Sequence, residues 1–499
     1  MKKWNKVILL VFIFSMFGQA TFGGPEISKE TAVIINKIAK EDTLRFEPSE
    51  HVNKKLDNNF AMLKSIAKKE ELVELTSDKN KIVRCYAFWA LSYYDSVDLF
   101  PIILEHIDDN QKIDIQLYDL IETGKKVGDF FIEVATSPKS FFGTNKLTPE
   151  QITKLDYLLI TTPNELNSTN EVLMRIKPAP ELYSRIRDLY LKNNNQSALV
   201  ALAKYRKEQD IHLILNNREK IKYEEDALTP EGSQLAREYK EQGFNYTYIA
   251  ISYYPHAEFL PLLEKNLIKA LKNSFWSDEW PNLYRAIASY KNNKALMLLQ
   301  IPFTQITTDE TIRKHHLESI YDALVTFKAP IYDELFWKLW IKENIINLEG
   351  FNYLYSRYPK KTLDVTKNWL EDPGKPWDSW EFEKLINEML HLIFIKDKDY
   401  VVEIIKKNIE VANVPLFKVF ADKITEVEDK SIFVEPLFIR LNNESNPHIY
   451  LKIVKLLIAY NDDTINKRIL DVIGKNNTLK SGWGGEALNN LLKNNNLLK

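Results

Sequence analysis

The side chains whose types and spacing could do chemistry in this chain are few. They are His315-His316 with Glu318, the single Cys85, and seven of ten tryptophans gathered between positions 276 and 380. The histidine cluster does not suit a metal. Adjacent residues on a helix point about 100° apart, whereas a helical zinc site needs histidines at i and i+4 with a glutamate between them. Cys85 sits in Cys85-Tyr-Ala-Phe-Trp-Ala-Leu91, an apolar run in which a thiol reads as a small buried hydrophobe rather than a nucleophile. No Gly-x-Ser-x-Gly elbow, phosphate-cradling glycine loop or calcium-loop aspartate ladder is present. Glycine is scarce, 14 of 499 residues, against a usual ~7%. Aspartate and glutamate are plentiful, but linear spacing selects no pair for glycosidase-like work. The expectation is no catalytic residue, no metal and no cofactor.

Tryptophan is the uneven feature that could serve binding, because it is a preferred anchor at interfaces. Trp340 falls on the apolar stripe of its helix and reads as core. Trp377 precedes Asp378, Glu381 and Phe382 in the order of a cap with a hydrophobic staple. Trp276, Trp280 and Trp380 have polar flanks and are the candidate binding residues. Lysine plus arginine (67) against aspartate plus glutamate (69) leaves −2. That balance removes the electrostatic term on which nucleic-acid binding rests, and the charge-rich stretches mix both signs.

The elements that must position these residues are helices. In Asp333-Glu-Leu-Phe-Trp-Lys-Leu-Trp-Ile-Lys-Glu343, positions 335, 336, 339 and 340 draw one apolar stripe of period 3.6. Thr148-Pro-Glu-Gln151 is a capping box with proline at the first helical place. Thr307-Thr-Asp-Glu310 and Thr229-Pro230 repeat parts of that logic. Alternating runs closed by Asn-Gly or Asp-Gly turns are missing, so no substantial β-sheet is expected. Several segments also share an order: small residue, aromatic helix end, polar turn, new apolar helix. The aromatic markers are Tyr93, Tyr205, Tyr290, Phe327 and Tyr460. Their separations are compatible with multiples of a unit of roughly 37–44 residues, the range of a two-helix repeat.

On these residues the chain resembles the HEAT-repeat family. Glu71 to Leu91 carries that family's order closely: an apolar first helix, a turn led by Asp78, Val83-Arg84, then Ala87 and Ala90 three apart. A second unit starts at Leu99-Phe-Pro101 and runs through Asp108-Asp109 to Ile113, with Asp114 where the family has arginine. A late unit runs from Phe433 through Pro436 to Tyr450. The resemblance implies an all-α, right-handed α-solenoid of stacked antiparallel helix hairpins. It also implies that Arg84 ties the inter-helix turns together through Asp78, Asp108 and Asp109.

The organisation expected along the chain is a signal peptide at 1–20, N-terminal repeats at 21–135, and an irregular hinge segment at 136–181 holding one or two short helices. C-terminal repeats at 182–479 and a capping tail at 480–499 complete it. The signal peptide rests on Lys2, Lys3 and Lys6 ahead of an eleven-residue apolar run and Gly18-Gln-Ala20, a run shorter than the ~20 residues of a membrane helix. The functional expectation is an exported, non-catalytic interaction protein whose curved surface binds a protein, peptide or glycan. The alternatives are an exported helical hydrolase using groove carboxylates and a helical inhibitor of a secreted enzyme.

Overall fold

The structure, a computed structural model, describes residues 27–46, 59–117, 120–138, 142–217, 243–273, 275–305, 309–371 and 382–498. The signal-peptide stretch 1–20, Thr229-Pro230, Thr307, Trp377 and Trp380 lie outside the described residues. The chain forms two compact units, divided between Tyr254 and Pro255.

The first unit opens with α1 (Lys29–Ile38), β1 (Thr43–Phe46), α2 (Asn59–Ile66), α3 (Lys69–Leu75), α4 (Lys81–Leu91) and α5 (Leu99–Glu105). A hairpin of β2 (Lys112–Leu117) and β3 (Leu120–Lys126) comes next. Then follow α6 (Val127–Thr136), α7 (Pro149–Thr161), α8 (Asn167–Arg175), α9 (Tyr183–Asn193), α10 (Gln196–Ala203), α11 (Ile211–Leu215) and α12 (Asn245–Tyr253). Consecutive helices pair, α3 with α4, α5 with α6, α7 with α8 and α9 with α10. The second members also pack in series, α4 on α6, α6 on α8, α8 on α10 and α10 on α12. A helix with neighbours on so many sides is apolar almost all round. Every residue from Ile82 to Leu91 in α4 is buried, as is every residue from Ser197 to Ala203 in α10.

The hairpin corrects the second HEAT-like unit. Where the resemblance expects a helix to start, β2 pairs in parallel with β1 and antiparallel with β3. Residues 112–117 place Ile113 and Ile115 inward and leave Lys112 exposed, a two-residue alternation that suits a strand. Leu44 of β1 is buried on the same small sheet. Asp114 accepts from the Gly124 amide at 3.0 Å, where Gly124 adopts the left-handed φ of +76°. The stretch 136–181 lies inside this unit and holds α7 and α8. Its Thr148 capping box is formed: the Thr148 hydroxyl accepts from the Gln151 amide at 3.2 Å and Gln151 Oε1 from the Thr148 amide at 2.9 Å.

The second unit contains α13 (Leu260–Ala270), α14 (Trp280–Ala288), α15 (Asn293–Gln300), α16 (Pro302–Gln305), α17 (Glu310–Phe327), α18 (Asp333–Glu343) and α19 (Leu348–Arg357). It continues through α20 (Pro359–Glu371), α21 (Phe382–Lys396), α22 (Lys398–Asn408), α23 (Val414–Glu426) and α24 (Val434–Asn443). The last three helices are α25 (Pro447–Ile458), α26 (Asp463–Lys475) and α27 (Gly482–Asn494). Serial packing recurs here, α14 on α17, and α19, α21, α23, α25 and α27 each on the next. The tail helix α27 closes the row, its buried Gly484 making room for the Tyr450 hydroxyl and Pro447 of α25.

Asparagine sets many of the helix starts. Asn195, Asn292, Asn347 and Asn413 each accept, through Oδ1, from the amide three residues on, at 2.9–3.1 Å. Such a cap contributes about 1 kcal/mol.

The aromatic markers have a physical role. Tyr205, Tyr290 and Tyr460, each just past the end of a second helix, donate their hydroxyls to the carbonyls of Ala179, His256 and Lys430. Each of those residues precedes a single 3₁₀ turn, Pro180–Leu182, Ala257–Phe259 or Ser431–Phe433, from which the first helix of the same pair begins. The residue after each tyrosine, Arg206, Lys291 or Asn461, has a φ of 50–52° and reverses the chain. Phe327 is likewise followed by left-handed Lys328 and then by the 3₁₀ turn Pro330–Tyr332. Tyr93 differs: it is 41% exposed and lies under the Lys64 ammonium at 4.1 Å.

Candidate binding groove

In the first unit, Arg84 is 5% exposed and is the one charged residue of the buried run Ile82 to Leu91. Its Nε meets the Asp109 carboxylate at 3.0 Å, and a terminal nitrogen donates to the Asp78 carbonyl at 2.7 Å. The turn-tying arrangement thus uses Asp109 by its side chain and Asp78 by its backbone. The Asp78 carboxylate instead accepts from the Asn80 amide at 2.7 Å. No contact of Asp108 with Arg84 is part of the cluster. Asp109 also takes the His106 ring at 3.5 Å and the Gln111 amide at 3.2 Å. Burial alone would raise its pKa, but the His106 hydrogen bond and the Arg84 charge outweigh burial and hold the carboxyl below its usual range. Cys85, one residue on, is fully buried, and burial pushes its thiol far up, out of reach of nucleophile chemistry.

The candidate tryptophans part company. Trp276 is 49% exposed, beside exposed Phe275, with the His315 ring 6.1 Å away. Trp280 is 2% exposed, which removes it as a surface anchor despite polar Asp278, Glu279 and Asn282 around it. Its indole stacks on the fully buried His316 ring, centroids 3.7 Å apart and planes within 17°. His316 Nδ1 also lies 2.8 Å from the Tyr284 hydroxyl. Adjacent histidines on α17 therefore divide as helical geometry requires, His316 into the core and His315 towards solvent, where it meets Glu318 at 3.5 Å. Among the described residues no three histidine, cysteine, aspartate or glutamate side chains are grouped to hold a metal ion.

A groove of about 720 Å³ lies on the second unit, formed by α15, α16, α18 and one turn of α20. Met297, Leu335, Trp337 and Ile341 give it an apolar surface, with Met297 62% and Ile341 47% exposed. Lys338, Lys342 and Lys361 stand around it, and Glu334 is its lining carboxylate. The Lys338 ammonium lies 4.0 Å above the Phe303 ring, and Lys361 lies 4.3 Å above Trp337. Partial burial first, and the like charge of Lys342 next, lower the pKa of Lys338. The stripe at 335, 336, 339 and 340 is buried as expected, Trp340 fully. The groove face of the same helix lies off that stripe. Its signal is present in the sequence, since Trp337 and Ile341 form an apolar i,i+4 pair off the stripe, beside a lysine pair at 338 and 342.

No helix among the described residues is long and apolar enough to cross a membrane. No known protein family, curated protein or solved structure matches the chain.

Proposed function

We propose that this chain is an exported, non-catalytic interaction protein, a right-handed α-solenoid of HEAT-like helix pairs that binds a macromolecular partner on its surface. The observation that carries the reading is the groove of the second unit. It offers large apolar side chains and cations to solvent, and a single carboxylate, Glu334, whose side chain is 89% exposed. A hydrolase of the two-carboxylate type needs a facing pair about 5–10 Å apart, which this lining does not supply. The serial packing of second helices and the three tyrosine latches support a repetitive architecture, because one pair cannot bury its apolar face without the next.

The test is a pull-down with residues 21–499 against envelope and medium of the producing organism, followed by mass spectrometry. A polysaccharide and peptide library is screened for turnover in parallel. Reproducible recovery of one partner, weakened by Ile341→Asp in the groove, is the expected result. Turnover of a library polymer by the purified chain, abolished by substituting a carboxylate, would overturn the reading in favour of an enzyme.

A further inference from the structure

We infer that the groove of the second unit binds an acidic amphipathic peptide segment, with apolar side chains against Met297 and Ile341 and carboxylates on Lys338, Lys342 and Lys361. This assignment rests on the interaction-protein reading and narrows it to a ligand class.

Charge complementarity is the first support. Elsewhere in this unit lysines find carboxylates: Lys294 with Glu264 at 2.9 Å, Lys367 with Asp397 at 2.5 Å, Lys418 with Glu383 at 2.5 Å and Lys452 with Asp422 at 2.7 Å. Lys338 and Lys342 have no carboxylate within 4 Å among the described residues, although they repel each other at i and i+4 on one helix. Glu343, next to Lys342, is engaged by Arg313 at 2.6 Å. Glu334 reaches Lys361 only at 3.9 Å and from an almost fully exposed position, so a ligand carboxylate can displace it at little cost. The chain as a whole is at −2, so this local excess of cation is not the spill-over of a basic protein.

Preorganisation is the second support. Lysine ordinarily loses much rotamer freedom on binding, but here two of the three ammoniums are already held over aromatic faces, Lys338 on Phe303 and Lys361 on Trp337. The third support is the apolar content. Met297 and Ile341 are exposed side by side with cations at their edge, which is the mixed surface an amphipathic segment covers and a bare polyanion does not. A second hollow of about 460 Å³ shares Lys361 and continues past Lys360 and Tyr358, giving a peptide chain a path beyond the first.

The experiment uses residues 21–499 and four labelled probes read by fluorescence anisotropy. They are a short helix-period Glu/Leu peptide, its Glu/Ser and Lys/Leu counterparts, and a single-stranded oligonucleotide of matching charge. The Glu/Leu peptide is expected to bind best, and to weaken roughly tenfold or more in the Lys338→Glu, Lys342→Glu double variant and with added salt. On the unaltered protein, amide exchange across 293–305 and 333–343 is expected to slow when that peptide is present, a readout that does not depend on any variant folding. Equal binding of Glu/Leu and Lys/Leu peptides, tighter binding of the oligonucleotide, or no change in exchange at those helices would overturn the assignment. If the Glu/Leu peptide fails while the pull-down still recovers a partner, the ligand class falls and the interaction reading stands. Library turnover would remove the interaction reading beneath both.

Discussion

In the first unit, the Arg84 guanidinium is buried with a carboxylate at 3.0 Å and a carbonyl at 2.7 Å. In the second, Lys338 and Lys342 stand at the wall of an open groove with no carboxylate within 4 Å among the described residues, next to apolar side chains that solvent reaches. The two clusters differ in what remains to be satisfied. Around Arg84 the guanidinium is already engaged within the fold by a carboxylate and a carbonyl, so the charge holds two turns in register. In the groove, Lys338 is positioned by an aromatic ring but not neutralised, so the favourable interaction is still to be made. Charge in this protein therefore divides by partner, not by residue type, into structural and available sets.

The strongest way to break that division is a matched pair of truncations. Arg84→Ala leaves the partly buried Asp109 beside His106 without its guanidinium, and the expected loss is about 1–3 kcal/mol of first-unit stability, read by urea denaturation. Lys342→Ala should leave the second unit unchanged within about 0.5 kcal/mol while weakening the acidic peptide. Comparable losses in both would show that Lys342 is structural and that the division is wrong.

His316 offers the contrasting case of a group that is buried without being charged. Burial first, then the neighbouring His315, brings the pKa of His316 down to about 4, below the ordinary 6.5. Between those values the unfolded chain takes up a proton that the folded chain does not. Stability from this residue is thus complete above about pH 6.5 and falls as pH drops towards 4, by roughly 3 kcal/mol in all. His316→Gln, which keeps an acceptor for the Tyr284 hydroxyl, should flatten the second unit's stability between those pH values even if it lowers it overall. An unchanged slope would place the titration elsewhere.

What was legible in the sequence follows the same physics. Helix starts and the Tyr205, Tyr290 and Tyr460 turns could be read because caps and reversals are local: a side chain, a left-handed residue and a short turn within a few positions. The β2–β3 hairpin is hard to read because only Ile113 and Ile115 of β2 are buried and β3, which carries the extra residue of a bulge, buries no side chain and shows no alternation. Trp280 looks exposed in the sequence because its immediate neighbours are polar, while it stacks on His316, thirty-six residues away on another helix. The groove was invisible as a site because its lysines come from two helices and its aromatic platform, Phe303, from a third. Even so, the off-stripe pair Trp337 and Ile341 marked one wall.

The latches give the smaller effects. Tyr290→Phe keeps the packing and removes the donor to the His256 carbonyl, for an expected loss of about 1 kcal/mol. Tyr93→Phe, at a marker that makes no latch, should cost nearly nothing.

The least expected effect is a gain. Lys291 holds a φ of 50°, a region that costs an L-residue roughly 1–2 kcal/mol and glycine almost nothing. Lys291→Gly relieves that strain, but it enlarges the unfolded ensemble and gives up the ammonium 5.4 Å from the Phe327 ring. The net expectation is a second-unit stabilisation below about 1 kcal/mol. Asn461→Gly should gain less, because asparagine already tolerates the left-handed region. If Lys291→Gly were destabilising by as much as Tyr290→Phe, the lysine would be a partnered charge of the Arg84 kind rather than a turn residue under strain, and the set of structural charges would have to be widened to include it.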